Sequence, residues 1–306
     1  MKLVSRAWVW VVLVLALAFP VISFGDRTQF VQQIAVFVLS SATLALSWDV
    51  LARTGQLSLA HAAFYGLGAY SFALLATAGV PQMLAFLLAG VIASLASLLL
   101  GAVTMRLQGM YFAIATLAFT EVVKTIVNQL NFTGGPQGHL VPALLDGNFV
   151  PVYYLGLGVL VLLILISSFI LRSKLGFAFT AIRQGELVAR VLGVDVTRYK
   201  LLAFVISSFF VGLTGAFVAG KTFYITPPSA FDTGVSVVAL VMPIFGGLYS
   251  SAGPVLAAVI LRVLEEVLKL VAPSAYLIAY GAILVLSILY LPRGILGLLA
   301  RFKGHS

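Results

Sequence analysis

The chain has 306 residues, of which 62% are hydrophobic and only 9% are charged, and its mean hydropathy is +1.14. A soluble domain of this size could not cover its core with so few polar side chains, so an ordinary soluble protein is excluded. The lack of cysteine excludes disulfides, thiolate metal sites and cysteine nucleophiles. The net charge of +9 could suggest a nucleic-acid partner. In such an apolar chain, however, the useful information is on which side of the membrane the basic residues lie.

Apolar stretches of about 20 residues recur along the chain and predict an all-α, polytopic transmembrane bundle of about ten spans. A transmembrane β-barrel would instead need alternating segments of about 10 residues, whereas these stretches are apolar on every side. The first stretch resembles a secretory signal, but its length and poor cleavage consensus favour an uncleaved helix. In chain order, the predicted spans cover residues 8–24, 30–48, 56–78, 83–105, 110–130, 152–171, 201–220, 235–245, 255–271 and 276–291.

Most basic residues fall on one side of this predicted topology. With an even number of spans and both termini in the cytoplasm, the cytoplasmic side carries Lys2, Arg6, Arg53, Arg106, Arg172, Lys174, Arg183, Arg190, Arg198, Lys200, Arg293, Arg301 and Lys303. Few basic residues, such as Arg27 and Lys221, fall on the other side, as the positive-inside rule requires.

The third predicted span carries polar residues at a helical spacing. Thr54, Ser58, His61 and Tyr65 follow one another at intervals of four, three and four residues, which predicts a polar stripe on one face of a helix. A polar stripe in lipid must face inward. These residues are therefore candidates for the lining of a translocation path, or alternatively for hydrogen bonds between helices without any contact with a solute.

Glu121 is a further candidate for the path, because an ionisable residue within a span is a functional site by default. It lies three residues before Lys124 and shares a helical face with Leu117 and Asn128. An internal structural ion pair near the outer membrane boundary is favoured over a proton relay, because an unpaired charge there is costly.

Residues 172–198 form a basic, amphipathic interruption between two spans. In a helix from Ile182 to Leu192, Glu186 and Arg190 are four residues apart and predict a stabilising ion pair. Such a helix can dock on a protein partner, or it can lie on the membrane surface as a simple link. Its predicted apolar face consists of Ala181, Ile182, Val188, Ala189 and Leu192, while Arg183, Glu186 and Arg190 project away from it.

Three other patterns indicate local structure. The segment 131–149, which contains TGGPQG, predicts an irregular non-cytoplasmic loop that either docks a binding protein or only connects two spans. Gly212, Ala216 and Gly220 predict a small-residue seam for close helix packing. The segment FGGLYSSAGP predicts a cytoplasmic turn or helix break after a short helix, which could cross only half of the membrane.

Several motifs in a fixed order carry a family resemblance. They are TGQLSLAHAAFYGLGAY (54–70), MRLQGMYFAIATLAFTEVVK (105–124), NFTGGPQG (131–138), AIRQGELVARVLGVDVTRYKLLAF (181–204), FGGLYSSAGPVLAA (245–258) and LYLPRGILGL (289–298). With these motifs the chain resembles the permease subunits of ATP-binding-cassette (ABC) importers for branched-chain amino acids, of the LivM type.

The resemblance implies a type II-like ABC importer in the bacterial inner membrane. Its subunits would be two homologous permeases, two cytoplasmic ATP-binding subunits and a periplasmic or extracellular solute-binding protein. The chain would form a single transmembrane permease domain over 1–306, with a cytoplasmic coupling segment at about 172–198. Coupling to the ATPase would fall to Ile182, Arg183, Glu186, Leu187, Arg190 and Leu192. The family tends to have acidic residues where this chain has Gly185 and Arg190. This departure bears on which ATP-binding subunit the chain accepts, because charges at the rim of an interface help to select the partner.

The sequence contains no P-loop of the form G-x-x-x-x-G-K-[ST], so we expect no ATP hydrolysis by the chain itself and no cofactor, ATP being bound by the partner subunits. We expect no catalytic site, because no Ser, His and Asp spacing matches a known motif. We expect no metal site either, because neither His139 nor His305 has ligand spacing to His61. Membrane lipid is an expected partner and nucleic acid is not.

The predicted function is the uptake of branched-chain or other small amino acids by alternating access, driven by ATP hydrolysis in the partner subunits. A permease of the same superfamily for urea, short amides, sugars or nucleosides is one alternative. A stand-alone gradient-driven transporter is another, and it would make Glu121 central. A membrane enzyme is disfavoured because the cytoplasmic loops lack paired carboxylates.

Overall fold

The fold is known from a computed structural model that describes residues 19–21, 28–107, 109–275, 278, 281–282, 285 and 294–297. The first predicted span, 8–24, and the last, 276–291, lie largely outside these described residues. The described part of the chain therefore covers the eight predicted spans between them.

Helices make up nearly all of this part of the chain. The α-helices are α1 (Thr28–Ala52), α2 (His61–Thr77), α3 (Gln82–Thr104), α4 (Gly109–Gln129), α5 (Phe149–Arg172), α6 (Lys174–Gln184), α7 (Glu186–Val191), α8 (Val196–Thr222), α9 (Pro227–Ala230), α10 (Thr233–Gly246) and α11 (Gly253–Val271). Short 3-10 helices cover Phe19–Val21, Asn131–Thr133, Gly135–Gln137 and Leu144–Gly147. The two strands, β1 (His139–Leu140) and β2 (Tyr224–Ile225), form one antiparallel pair.

Six helical segments within the described residues are long and apolar enough to cross a membrane. They are α1, α3, α4, α5, α8 and the stretch Pro227–Gly246 that joins α9 and α10. The helical membrane architecture predicted from the sequence is therefore confirmed. The shorter α2 has 17 residues, and α11 has 19 residues with four charged side chains. The count of ten spans stays a prediction.

Two helices lie at the centre of the bundle. The second half of α1, from Leu39 to Ala52, is buried almost without interruption, and most of α8 is buried as well. α8 packs mainly against α2 and α3, whereas α1 packs against α5, α8, α10 and α11. Aromatic contacts reinforce the joint between α2 and α8, where the rings of Phe64 and Phe204 meet edge to face at 5.3 Å.

Glycines allow α8 to approach its neighbours at backbone distance. A Cβ atom on Gly68 in α2 would overlap the carbonyl oxygen of Gly212, and one on Gly215 would overlap that of Tyr65. Gly220 faces Leu144 in the same way, at 2.6 Å from the leucine Cβ to the position of a glycine Cβ. Because lipid supplies no hydrophobic drive between helices, this close van der Waals packing holds them together. The predicted seam is confirmed as a packing surface.

The loop between α4 and α5 is ordered. Thr133 donates hydrogen bonds from its hydroxyl to the carbonyls of Val127 and Leu130, both at 2.7 Å, and so ends α4. β1 pairs with β2, which follows α8, and the Tyr224 hydroxyl donates to the carbonyl of Gln137. The predicted irregular loop thus becomes a structured cap that joins the ends of α4 and α8.

Replacing Gly68 by Ala tests the contact between α2 and α8. The added methyl group would overlap the backbone of Gly212, and such overpacking costs about 1–3 kcal/mol. We expect a lower midpoint of thermal unfolding in detergent, followed by fluorescence-detected size-exclusion chromatography.

Gly158→Ala is the matched control, because a Cβ atom at this exposed helical position meets nothing within 4 Å. Alanine is the better helix former, so the control should be neutral or slightly stabilising. Equal behaviour of the two variants would contradict the packing role of Gly68.

Candidate coupling site and translocation path

The predicted coupling segment consists of two helices rather than one. α6 ends at Gln184, Gly185 is extended with φ of 166°, and α7 starts at Glu186. Glycine is a poor helix former and exposes its backbone, which explains the break at this position. The single helix expected across Ile182 to Leu192 is therefore wrong.

The break changes which apolar side chains are buried. Ile182 and Ala189 pack with Val196 in a small cluster between α6, α7 and the start of α8. Val188 and Leu192, which were predicted to share their face, are instead exposed. Together with Leu187 and Val191 they form the exposed apolar surface of α7 and the residue that follows it. Four large apolar side chains on a single short helix are more than scattered surface residues, and they mark an interaction site.

Glu186 also points inward rather than away from the protein. It forms the predicted ion pair with Arg190, at 3.6 Å, and a second one with Lys200 in the second turn of α8. The Lys200 side chain is buried. The sequence analysis missed this partner, because its separation of 14 residues matches no helical spacing. The pair fastens α7 to the start of α8.

A polar cavity of about 170 Å³ lies between α6 and the chain segments that follow α1 and α3. Its lining includes Thr54, Gln56, Arg183, Glu186 and Lys200. The structure thus places Thr54, which was predicted for the translocation path, beside the coupling residues and away from His61.

A buried ion pair lies next to this region. The carboxylate of Asp49, in the last turn of α1, lies 2.8 Å from the guanidinium of Arg53, which directly follows the helix. The side chains of Asp49 and Arg53 are 0% and 3% exposed. Arg53 also donates to the backbone oxygen and the hydroxyl of Ser167 in α5, at 3.0 and 2.8 Å. The hydroxyl of Ser167 lies 2.8 Å from that of Ser251, in the turn between α10 and α11. One network therefore joins α1, α5 and this turn, as a buried pair requires if its charges are to be compensated.

The same network reaches α6. The backbone N–H of Tyr249, in the turn between α10 and α11, donates to Asp49 at 2.6 Å. The Arg183 guanidinium lies 3.7 Å from the centroid of the Tyr249 ring, which is a cation–π contact. Arg183 is thus connected to the last turn of α1 through two contacts. Sequence reasoning assigned Arg53 only to the cytoplasmic charge count, although its spacing of four from Asp49 was a usable signal.

The chain between α1 and α2 is not helical, although Gln56, Ser58 and Ala60 within it are buried. Gln56–Ala60 is irregular, and we call it the unwound segment. Its backbone is satisfied by other helices: Leu59 donates to the hydroxyl of Thr116 at 2.9 Å and accepts from Ser236 at 2.8 Å. Trp48 donates from its indole to the carbonyl of Ser58 at 3.0 Å. Irregular backbone in a membrane protein survives only where the protein supplies such partners.

The expected polar stripe on one helix is therefore wrong. Thr54 and Ser58 precede the first residue of α2, His61, so only His61 and Tyr65 share a helix. Two of their hydroxyl groups bind backbone at the break: Thr54 donates to the carbonyl of Leu51 at 2.8 Å, and Ser58 accepts from the N–H of Ala60 at 3.1 Å. His61 is fully buried with its Nε2 atom 3.1 Å from the Ser207 hydroxyl, and its Nδ1 atom has no hydrogen-bond partner within the described residues.

Glu121 forms the predicted pair with Lys124, at 3.0 Å. The pair is not internal, however, because the two side chains are 50% and 32% exposed on the outer face of α4. The expectation of an internal structural pair is thus wrong in its location. Within the part of the chain that the structure describes, this face of α4 is left uncovered.

Comparison with known proteins decides the family. The family model described as "Branched-chain amino acid transport system / permease component" matches residues 30–289. The chain belongs to this family. The resemblance inferred from the six motifs is confirmed, and the permease is a multi-pass protein of the bacterial inner membrane.

Three relatives are described as high-affinity branched-chain amino acid transport system permease proteins. LivM of Salmonella typhimurium is 30% identical over 95% of this chain and 75% of its own length. LivM of Escherichia coli is 30% identical, with 93% and 73% covered. BraD of Pseudomonas aeruginosa is 26% identical, with 79% and 86% covered. No solved structure shows significant similarity to the permease.

Replacing Arg53 by Met tests the buried pair of the permease. Asp49, whose side chain is fully buried, would lose its counter-ion, which costs about 3–5 kcal/mol. We expect a much lower yield of folded protein and a lower midpoint of thermal unfolding in detergent.

The double variant Asp49→Asn/Arg53→Met is the control, since Asn keeps the acceptor for the Tyr249 N–H but carries no charge. It should unfold at a higher temperature than Arg53→Met alone. If Arg53→Met behaves like the unaltered protein, the pair does not hold the network together.

Proposed function

We propose that the permease is the membrane subunit of an ABC importer that takes up branched-chain or other small amino acids. The observation that carries this proposal is the family match over 30–289. The relatives that support it are named for branched-chain amino acid transport. Urea, short amides, sugars and nucleosides remain less favoured solutes, because none of these names mentions them.

The importer would contain a second, homologous permease, two cytoplasmic ATP-binding subunits and a periplasmic or extracellular solute-binding protein. ATP would be bound by those partners, and this chain would contribute neither a catalytic residue nor a cofactor. About ten spans with both termini in the cytoplasm agree with the positive-inside rule. In this orientation Arg53, Arg106 and Arg172, which lie at or just after the ends of α1, α3 and α5, would all be cytoplasmic.

The exposed apolar surface of α7 is the proposed docking point for an ATP-binding subunit. Leu187, Val188, Val191 and Leu192 form it, and the exposed Arg190 belongs to the same helix. Because Glu186 is bonded to Lys200, α7 is held firmly on the second turn of α8. A force applied to α7 would therefore reach α8 without first bending a loop.

A second route would lead from α6 into the bundle. Arg183 contacts Tyr249, Tyr249 donates to Asp49, and Asp49 pairs with Arg53. This route reaches α1, α5 and the turn before α11 together. Closure and opening of the ATPase dimer could thus rock these helices as a unit, which is the basis of alternating access.

The unwound segment and the nearby face of α4 are the proposed lining of the path. Discontinuous helices at membrane depth are a common way to expose backbone groups to a solute. Ser58, His61 and Tyr65 lie on or next to the unwound segment, whereas Thr54 borders the cytoplasmic cavity. In this proposal Thr54 would lie near the exit of the path.

The proposed function is tested by co-expressing the tagged chain with its proposed partners. These are the ATP-binding subunits, the second permease and the binding protein. We expect the tagged chain to purify with these subunits and to support uptake of radiolabelled leucine into proteoliposomes only with ATP at the ATPase side. A chain that purifies alone and takes up leucine under an ion gradient without ATP would overturn the proposal.

Leu187→Asp isolates the docking surface within the same experiment. Leu187 is 77% exposed, so its replacement should not disturb folding, but a buried, unpaired carboxylate at the interface is costly. Recovery of ATP-binding subunits should fall roughly tenfold or more, the factor that corresponds to about 1.4 kcal/mol. The control Thr197→Asp changes an exposed residue in the first turn of α8 and should retain the subunits. Full recovery with Leu187→Asp would contradict docking on α7.

Tyr249→Leu tests the route from α6. Leucine removes the ring below Arg183 but keeps the backbone N–H that binds Asp49, and a cation–π contact contributes about 0.5–2 kcal/mol. We expect several-fold less leucine uptake per ATP hydrolysed, with normal assembly. Tyr249→Phe retains the ring and should restore the ratio. Equal ratios in the two variants would remove Tyr249 from the route.

A further inference from the structure

The exposed face of α4 differs from those of the neighbouring spans. On α3 the large exposed side chains are Met83, Leu84, Leu87, Val91, Leu95, Leu98, Leu99 and Val103, all apolar. On α5 they are Val150, Tyr154, Leu162, Leu165, Phe169 and Leu171. On α4, by contrast, exposed Glu121, Thr125 and Gln129 continue the line of Tyr111, Ile114 and Ala118. The exposed face of α4 thus mixes apolar side chains with charged and polar ones, whereas those of α3 and α5 are apolar apart from Arg172 at the end of α5.

The charged pair on this face lies deep within its helix. Glu121 is the thirteenth of the 21 residues of α4. At 1.5 Å per residue it lies about 18 Å from the start of the helix and about 12 Å from its end. The hydrocarbon core of a bilayer is about 30 Å thick, so Glu121 falls near its middle.

Hydrogen bonds to α4 show which part of the bundle lies at this level. Thr116 and Thr120 bind the backbone of Leu59 in the unwound segment, at 2.9 and 3.4 Å. Glu121 directly follows Thr120, about 100° around the helix, and Lys124 lies one turn beyond Thr120. Glu121 is therefore level with the break between α1 and α2.

Ionised side chains near the middle of a bilayer are expensive when they face lipid. Within the described residues, α4 is also the least buried of the candidate spans. Glu121 and Lys124 therefore need water or protein beside them rather than lipid. In an importer with two permeases, the partner permease across a water-accessible path would supply this environment.

We propose that Glu121 and Lys124 form a binding site for a zwitterionic α-amino acid in the translocation path, a proposal that rests on the importer function proposed above. The Glu121 carboxylate would accept the solute's α-ammonium group, and the Lys124 ammonium would bind its α-carboxylate. The ion pair between Glu121 and Lys124 would open, and each of the two side chains would pair with the solute instead. The site and the solute each have zero net charge, so this exchange leaves no charge unpaired.

The surroundings of the pair suit an amino acid with an aliphatic side chain. Ala118 and Val122 lie beside Glu121 on the exposed part of α4, and Ile114 follows one turn further along. These side chains offer an apolar surface next to the charged groups. The site thus matches the two charges of the backbone group common to all α-amino acids, and it would discriminate weakly among aliphatic side chains.

The double variant Glu121→Gln/Lys124→Gln tests the proposal within the complete importer. It removes both charges together, so no unpaired charge remains to disturb folding or assembly. We expect normal recovery of all subunits and at least tenfold less uptake of radiolabelled leucine per assembled complex, because removing each charge-assisted hydrogen bond weakens binding by roughly tenfold or more.

The control is Glu266→Gln/Lys269→Gln in α11. This pair has the same spacing and a distance of 2.8 Å, but its side chains are 19% and 37% exposed. The control should keep at least half of the uptake. A comparable loss in the control would show that any ion pair in a span is needed, and it would overturn the assignment to Glu121 and Lys124.

Two further outcomes separate this inference from the proposed function. If the unaltered importer takes up leucine with ATP and the Glu121→Gln/Lys124→Gln variant does so equally well, or fails to assemble, the binding site is refuted while the importer function stands. If the unaltered importer shows no ATP-driven leucine uptake, the proposed function itself fails, and the amino-acid site fails with it.

Discussion

Backbone polar groups at membrane depth need partners within the protein, and the architecture of this permease depends on how the unwound segment Gln56–Ala60 meets that need. Hydroxyl groups from α4 and α10 bind the N–H and the carbonyl of Leu59, and the indole of Trp48 binds the carbonyl of Ser58. Without these bonds several polar groups would face an apolar medium, at a cost of a few kcal/mol each. The segment thus keeps α1, α4 and α10 in register.

Close packing of backbones completes this arrangement. α2 starts at His61, directly after the unwound segment, and packs along α8 with Gly68 against Gly212. The hydroxyl of Ser207 lies beside His61 at the start of this contact. Contacts of this kind bring the two backbones to a fixed, short distance.

The charged groups are divided between two levels of the molecule. Asp49, Arg53 and Arg183 form a connected network near the ends of the spans, where it touches the proposed coupling segment. Glu121 and Lys124 lie in the second half of α4, where Glu121 is level with the unwound segment. The first level suits the transmission of force, and the second suits contact with a solute. Helices α1 and α4 connect the two levels through the unwound segment.

The sequence by itself determined the family, the membrane-spanning helices and the ion pairs Glu121–Lys124 and Glu186–Arg190. These features depend on composition or on spacings of three and four residues, which a helix brings together without help from the rest of the fold. Only the tertiary structure decided the break at Gly185, the late start of α2 and the partners Lys200 and Ser167. The bond between Ser236 and Leu59 joins residues 177 positions apart, so the interactions that stabilise the unwound segment leave no periodic trace in the sequence.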